Sequence, residues 1–160
     1  MQMQAIASTL LLTTLIAQSA NTTKWELISK TEDPQKITSW YVDINSIVRE
    51  DDYMRAVLRT SWSVPQQGPD NTDYQSSTYI NYIDCTKNTI AYTGNTYFKD
   101  PEPVGQPVHE EPEQPLEKLK FQSVPQGSAG ANRVNFVCKF FSKNFLLKIF
   151  LAPWTGLKFF

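Results

Sequence analysis

Several kinds of residue are scarce in this 160-residue chain, and each shortage closes off a class of function. There is one histidine, His109, and it lies inside the run DPEPVGQPVHEEPEQP, Asp100 to Pro115. A catalytic base must be held within hydrogen-bond reach of the group it deprotonates, and a proline-rich acidic loop is a poor mount for one. There are two cysteines, Cys85 and Cys138, too few and too far apart for a zinc-ligand spacing. No G-x-G-x-x-G, P-loop or G-x-S-x-G string occurs, which removes the common phosphate cradles and the nucleophile elbow. The carboxylates Glu50, Asp51 and Asp52 fall in a turn, where acidic residues are ordinary. An excess of one charge is missing too, with 15 Lys and Arg against 16 Asp and Glu, so the basic stripe that nucleic acid demands is absent. The expectation is a protein that is not an enzyme, with no catalytic residue, no cofactor, no metal site and no nucleic-acid partner.

The residues that are abundant are those of one globular domain. Hydrophobic side chains make up 41% and aromatic ones 12%, and the length matches a single core. The opening MQMQAIASTLLLTTLIAQSA has no charged side chain and an apolar run from Ala5 to Ala17, shorter than a membrane span and followed by polar sequence. This is the outline of an export signal, expected to cover residues 1–19, with small residues Ala17 and Ser19 before a mature start at Ala20.

From Lys24 onward, period-two alternation dominates the chain. KWELISK sets Trp25, Leu27 and Ser29 against Glu26, Ile28 and Lys30, and TSWYVDINSI sets Trp40, Val42 and Ile44 on one side. In YMRAVLRTSWSV, Met54, Ala56, Leu58, Trp62 and Val64 share one face, while Tyr53, Arg55, Arg59, Ser61 and Ser63 share the other. One buried and one wet face is the habit of an antiparallel sheet. PQQGPDNTD reads as a loop, and STYINYIDCTKNTIAYTGNTYF as a hairpin turning at CTKN, with Gly94 marking a bulge in its second strand. Residues 100–115, with five prolines and five acidic residues, are expected to be extended or disordered. LEKLKFQSV suits a last short strand. PQGSAGANRVNFVCKF fits a helix capped by Ser128, the alternative being a strand in which Val134, Phe136 and Cys138 alternate.

Arg55 and Arg59, with Tyr53 beside them, are the candidate partner-binding residues, suited to an acidic ligand, although a solvated strand face explains the same pattern. In an exported protein the two cysteines are most simply a disulfide, Cys85 to Cys138, because the compartment outside the cytoplasm forms and preserves the bond.

Trp25, Tyr41-Val42-Asp43 with Ser46-Ile47, Ser76-Ser77, Asp84-Cys85, Tyr97, Val124-Pro125 with Ser128, and Val137-Cys138 follow one another in an order and spacing that resembles the surface-adhesin protein E-like proteins of Gram-negative bacteria. The resemblance spans about Trp25 to Cys138. It implies an α+β fold, a small antiparallel β-sheet of about five or six strands with a C-terminal helix pinned by one disulfide between the matching cysteines. It also implies an exported, non-enzymatic protein of the periplasm or cell surface that binds a host matrix or envelope protein.

The chain therefore divides into an export segment, an adhesin E-like domain over 20–139 and a basic-aromatic tail over 140–160. From Lys139 to the end there is no acidic residue, and lysines are spread among six phenylalanines. Lys143, Phe145, Lys148, Phe150 and Trp154 suit a peripheral contact with an anionic membrane, which would tether an envelope-associated protein; a partner-docking strip and a tail of no selected function are the alternatives. A homodimer completes the partner expectations.

Overall fold

The computed structural model describes residues 22–151, with side chains described through Ser142. The expected export segment and Trp154 lie outside the described residues, as do the side chains of Lys143, Phe145, Lys148 and Phe150.

The described strands form one antiparallel sheet. In chain order they are β1 (Trp25–Lys30), β2 (Thr38–Asp43), β3 (Val48–Glu50), β4 (Tyr53–Gln67), β5 (Asp73–Asp84), β6 (Thr89–Phe98), β7 (His109–Glu110) and β8 (Gln122–Ser123). Among the described residues one α-helix, α1 (Ala129–Leu151), follows. The sheet runs β1-β2-β4-β5-β6-β7, with β3 paired to β4 and β8 to β6. The expected α+β architecture is therefore what the chain adopts, with two short strands beyond the six in the main path.

Alternation along β4 and β5 decides which side becomes the core. Met54 faces Ile83, Ala56 faces Asn81 and Leu58 faces Tyr79, so these side chains point to one side, while Arg55 with Tyr82 and Arg59 with Thr78 point to the other. Helix α1 covers the first side. Val134 and Val137 are buried there with Val42, Leu58 and Ile83, and Cys138 and Phe141 extend the same stripe at the i, i+3, i+4, i+7 spacing of a helix. The alternation of Val134, Phe136 and Cys138 thus gives way to helical periodicity. Ser128 starts the helix, its Oγ accepting from the Ala131 N–H at 3.1 Å and donating to the Pro125 carbonyl at 2.7 Å. Nothing interrupts α1 at residues 139–140, and it continues to Leu151. No described helix is long and apolar enough to cross a membrane.

Cys85 follows β5 directly and joins Cys138 in a disulfide, with the Cα atoms 5.8 Å apart. Asp84 prepares that turn by accepting from the N–H groups of Lys87 and then Thr86, both at 2.9 Å, which holds its carboxyl below the usual range.

Three local expectations change. In β1 the register shifts between Leu27, which faces Tyr41 and is exposed, and Ser29, which faces Trp40; the extra residue puts Ser29 on the helix side with Ile28 and parts it from Trp25 and Leu27. β4 runs through Pro65 to Gln67, where a loop was expected from Pro65. Pro65 sits where the ladder to β5 shifts register between Ser61 and Gln66, a place that asks no ladder hydrogen bond of it. Residues 100–115 are neither free nor featureless. They return along the sheet, with Val108 N–H donating to the Tyr97 carbonyl at 2.8 Å and Glu111 N–H to Asn95 at 2.7 Å. The bulge expected at Gly94 is present: Thr78 faces Thr96 and Ile80 faces Thr93, leaving Tyr79 opposite both Gly94 and Asn95. Gly94 has φ +64°, the left-handed conformation such a bulge needs.

Candidate binding cleft and the strapped sheet face

β4 and β5 are longer than the part of them that α1 covers, and the uncovered end of the core-side face opens into a cleft of about 560 Å³. Trp62 has the same parity as Leu58, yet it lies past the helix and forms a wall instead of core. It meets Tyr74 edge-on at 5.2 Å, and Tyr74 meets Tyr97 at 4.9 Å, so the rings form a herringbone in which each edge approaches a neighbouring face. Tyr92 stands at the rim, 60% exposed. On the floor, Tyr79 shares a 2.9 Å hydrogen bond with Thr60 and accepts one from Arg133 Nη1 at 3.0 Å, which ties α1 to the sheet. Burial, and then the neighbouring Glu111 carboxylate, push the Tyr97 hydroxyl up to about 12, and burial raises Tyr74 as well. Both rings stay neutral at ordinary pH and keep their hydroxyl donors.

His109, expected in a mobile loop, is instead the first residue of β7. Its ring lies 5.7 Å from that of Tyr97, and its Nδ1 is 3.7 Å from Asp70 Oδ2. Among the described residues no three His, Cys, Asp or Glu side chains converge as metal ligands.

The candidate partner residues Arg55, Arg59 and Tyr53 do share one face of β4, but that face is largely covered. Residues 100–115 lie across it as a strap. Arg59 is only 4% exposed. Its guanidinium carbon lies 4.0 Å from the Tyr41 ring centre and 5.4 Å from that of Trp25, and Glu102 of the strap pairs with its Nη1. Arg55 Nη2 is 3.3 Å from both oxygens of Glu113, and its Nε is 3.7 Å from Glu50. Tyr82 donates to the same Glu113 at 3.1 Å. Burial raises the Tyr82 hydroxyl against the pull of Arg55, and Glu113 adds to the rise. Ser61 and Ser76 donate to the carbonyls of Pro101 and Asp100, each at 2.7 Å, and the Gln114 N–H donates to Thr93. Tyr53 stacks on Phe121 at 4.7 Å. The wet face read from alternation is corrected for a physical reason: besides nearby Glu50, the arginines' carboxylate partners Glu102 and Glu113 are supplied by the chain itself, from a segment distant in sequence.

The cleft residues Trp62, Tyr74 and Tyr92 did not stand out in the sequence. Trp62 read as core because its parity is that of the core, and Tyr74 stood at the edge of an apparent loop. A strand longer than the helix that covers it is the signal that would have exposed them.

These features define a class: a small antiparallel-sheet domain covered by one disulfide-pinned helix, with an open aromatic cleft beside the helix. The chain belongs to the surface-adhesin protein E family, whose model matches residues 25–139. Among solved structures, crystal form II of Haemophilus influenzae protein E is similar in fold, with a TM-score of 0.51 at 12% identity over 64% of this chain and 82% of that one. No curated protein matches the sequence.

Proposed function

We propose that this chain is an exported, non-enzymatic adhesin-type protein of the periplasm or cell surface, and that the aromatic cleft is where it meets a protein ligand. The open cleft carries the reading. Trp and Tyr offer large, rigid, amphipathic contact area at low entropic cost, and they are the residue types that anchor protein interfaces. The family supports a surface adhesin, and host matrix or serum proteins are the ligands to test. In a surface-binding assay with a panel of such proteins, the purified chain binds at least one at micromolar concentration. Tyr92→Ala, at the exposed rim, weakens that binding by about tenfold or more with the fold unchanged. Failure of every panel member to bind at that concentration defeats the reading.

A second reading rests on α1 continuing beyond Cys138 to Leu151. It makes the basic-aromatic tail, with Lys143, Phe145, Lys148, Phe150 and Trp154, a peripheral membrane tether for an envelope-associated protein. Deleting residues 140–160 then releases the protein from membrane fractions, and an unchanged partition sinks the idea.

A further inference from the structure

The geometry points to a second binding site, on the face opposite the cleft: the surface around Arg55 and Arg59 takes an extended acidic peptide segment, and the strap 100–115 occupies it as an intramolecular stand-in. The receptor side is already built. Arg59 lies over the rings of both Tyr41 and Trp25, contacts that orient its fork independently of any carboxylate. Its Nε is buried without a hydrogen-bond partner among the described residues, so Glu102 uses only part of a group suited to bidentate carboxylate recognition. Arg55, 25% exposed, makes a second carboxylate position together with the Tyr82 hydroxyl.

The strap is held by polar contacts, among them the two ion pairs and the hydrogen bonds to Ser61, Ser76 and Thr93. Glu102 and Glu113 are 65% and 43% exposed, so water reaches the carboxylate of each pair, and it reaches both partners of the Arg55–Glu113 pair, while Arg59 itself is buried. Five prolines leave the segment few N–H groups to bond, and its only ladder pairing is the two-residue β7. Such a segment can be displaced by a ligand of the same chemistry.

The strand sets the ligand's spacing. Arg55 and Arg59 lie four residues apart on one face of β4, roughly 13 Å at the rise of a strand. An extended polyproline-type peptide covers that distance in about four residues. The fitting ligand therefore carries two carboxylates about four residues apart in a proline-rich background. In the strap the matching glutamates are farther apart in sequence because the chain detours through the edge strand β7.

The test uses a fluorescein-labelled peptide Pro-Glu-Pro-Pro-Pro-Glu-Pro, its counterpart with Gln for both Glu, and the full chain. The tethered strap competes at high effective concentration, so the wild type binds the Glu peptide weakly. The double variant Glu102→Gln, Glu113→Gln should bind it at least about tenfold tighter, and adding Arg55→Gln should remove the gain. Circular dichroism and thermal melting verify that each variant is folded. Should Arg55→Gln not fold, the salt dependence of binding to the double variant decides, since a carboxylate–arginine contact weakens steeply as salt rises. Equal affinity of wild type and double variant, equal binding of the Gln peptide, or salt-independent binding each overturns the proposal. None of these outcomes touches the cleft, so this site and the proposed adhesin contact fail or stand separately.

Discussion

Asp43 Oδ1 accepts from the Lys24 N–H at 2.9 Å and the Asn45 N–H at 3.1 Å, and Ser46 Oγ donates to the Asp43 carbonyl while accepting from the Val57 N–H. The Y-V-D-x-x-S-I residues that carry the family resemblance are thus a clasp joining the start of β1, the turn after β2 and the middle of β4. Asp84 and Ser128 serve likewise as turn and cap, and Ser76 anchors the strap, so these matching positions specify scaffold. Tyr97, like Ser77, Val124, Pro125 and Ser128, belongs both to the resemblance and to the lining of the cleft. Its hydroxyl ionises near 12 in the folded chain against an ordinary value of 10. Between those values the unfolded chain has lost this proton while the folded chain keeps it. The stability it contributes is therefore complete below about pH 10 and is lost as pH rises toward 12. Ultraviolet titration should show a tyrosine ionising well after the exposed ones, and Tyr97→Phe should remove that last step and flatten the loss of stability over the same pH range. A last ionisation that survives the substitution would assign it elsewhere.

Elements whose pattern is local were legible in the sequence. The β5–β6 hairpin with its Gly94 bulge, the alternation of β4 and the cap at Ser128 each depend on neighbours within a few residues. What alternation could not reveal was what lies over each face. Arg59 and Trp62 were assigned the correct sides of β4, yet one is sealed by a strap from some forty residues away and the other is left bare by the end of a helix. The disulfide is the clearest link between elements, since it ties the turn after β5 to the middle of the described helix. Its separation of 53 residues implies about 4 kcal/mol of denatured-state entropy removed by loop closure. In a chain carrying Cys85→Ser and Cys138→Ser, stability should fall by up to about that amount. Hydrogen exchange should quicken in residues 129–142 before it does in β4 and β5, because α1 loses its covalent hold while the central ladder keeps its partners. Uniform acceleration across sheet and helix would show that the two open as one unit.

At the scale of the whole molecule, the sheet is covered on both sides by unlike materials. Helix α1 seals an apolar face and the strap overlies a polar and aromatic one, and hydrophobic burial makes the first cover the source of stability. Leu58, fully buried at the centre of the helix side, should cost roughly 2 to 5 kcal/mol when cut to alanine, from lost transfer energy and the cavity left behind. Glu113, on the strap side, is nearly half exposed, and its pairing with Arg55 is screened by water; Glu113→Gln should cost no more than about 1 kcal/mol. Urea unfolding midpoints of the two variants measure the contrast directly, provided the slopes match that of the parent chain. A large gap between them makes the strap a replaceable cover on a sheet that folds through its other side, and so a segment an acidic ligand can displace without unfolding the domain. If the two losses were equal, the strap would be integral to the fold, and exchange of its carboxylates for those of a ligand would lose its thermodynamic basis.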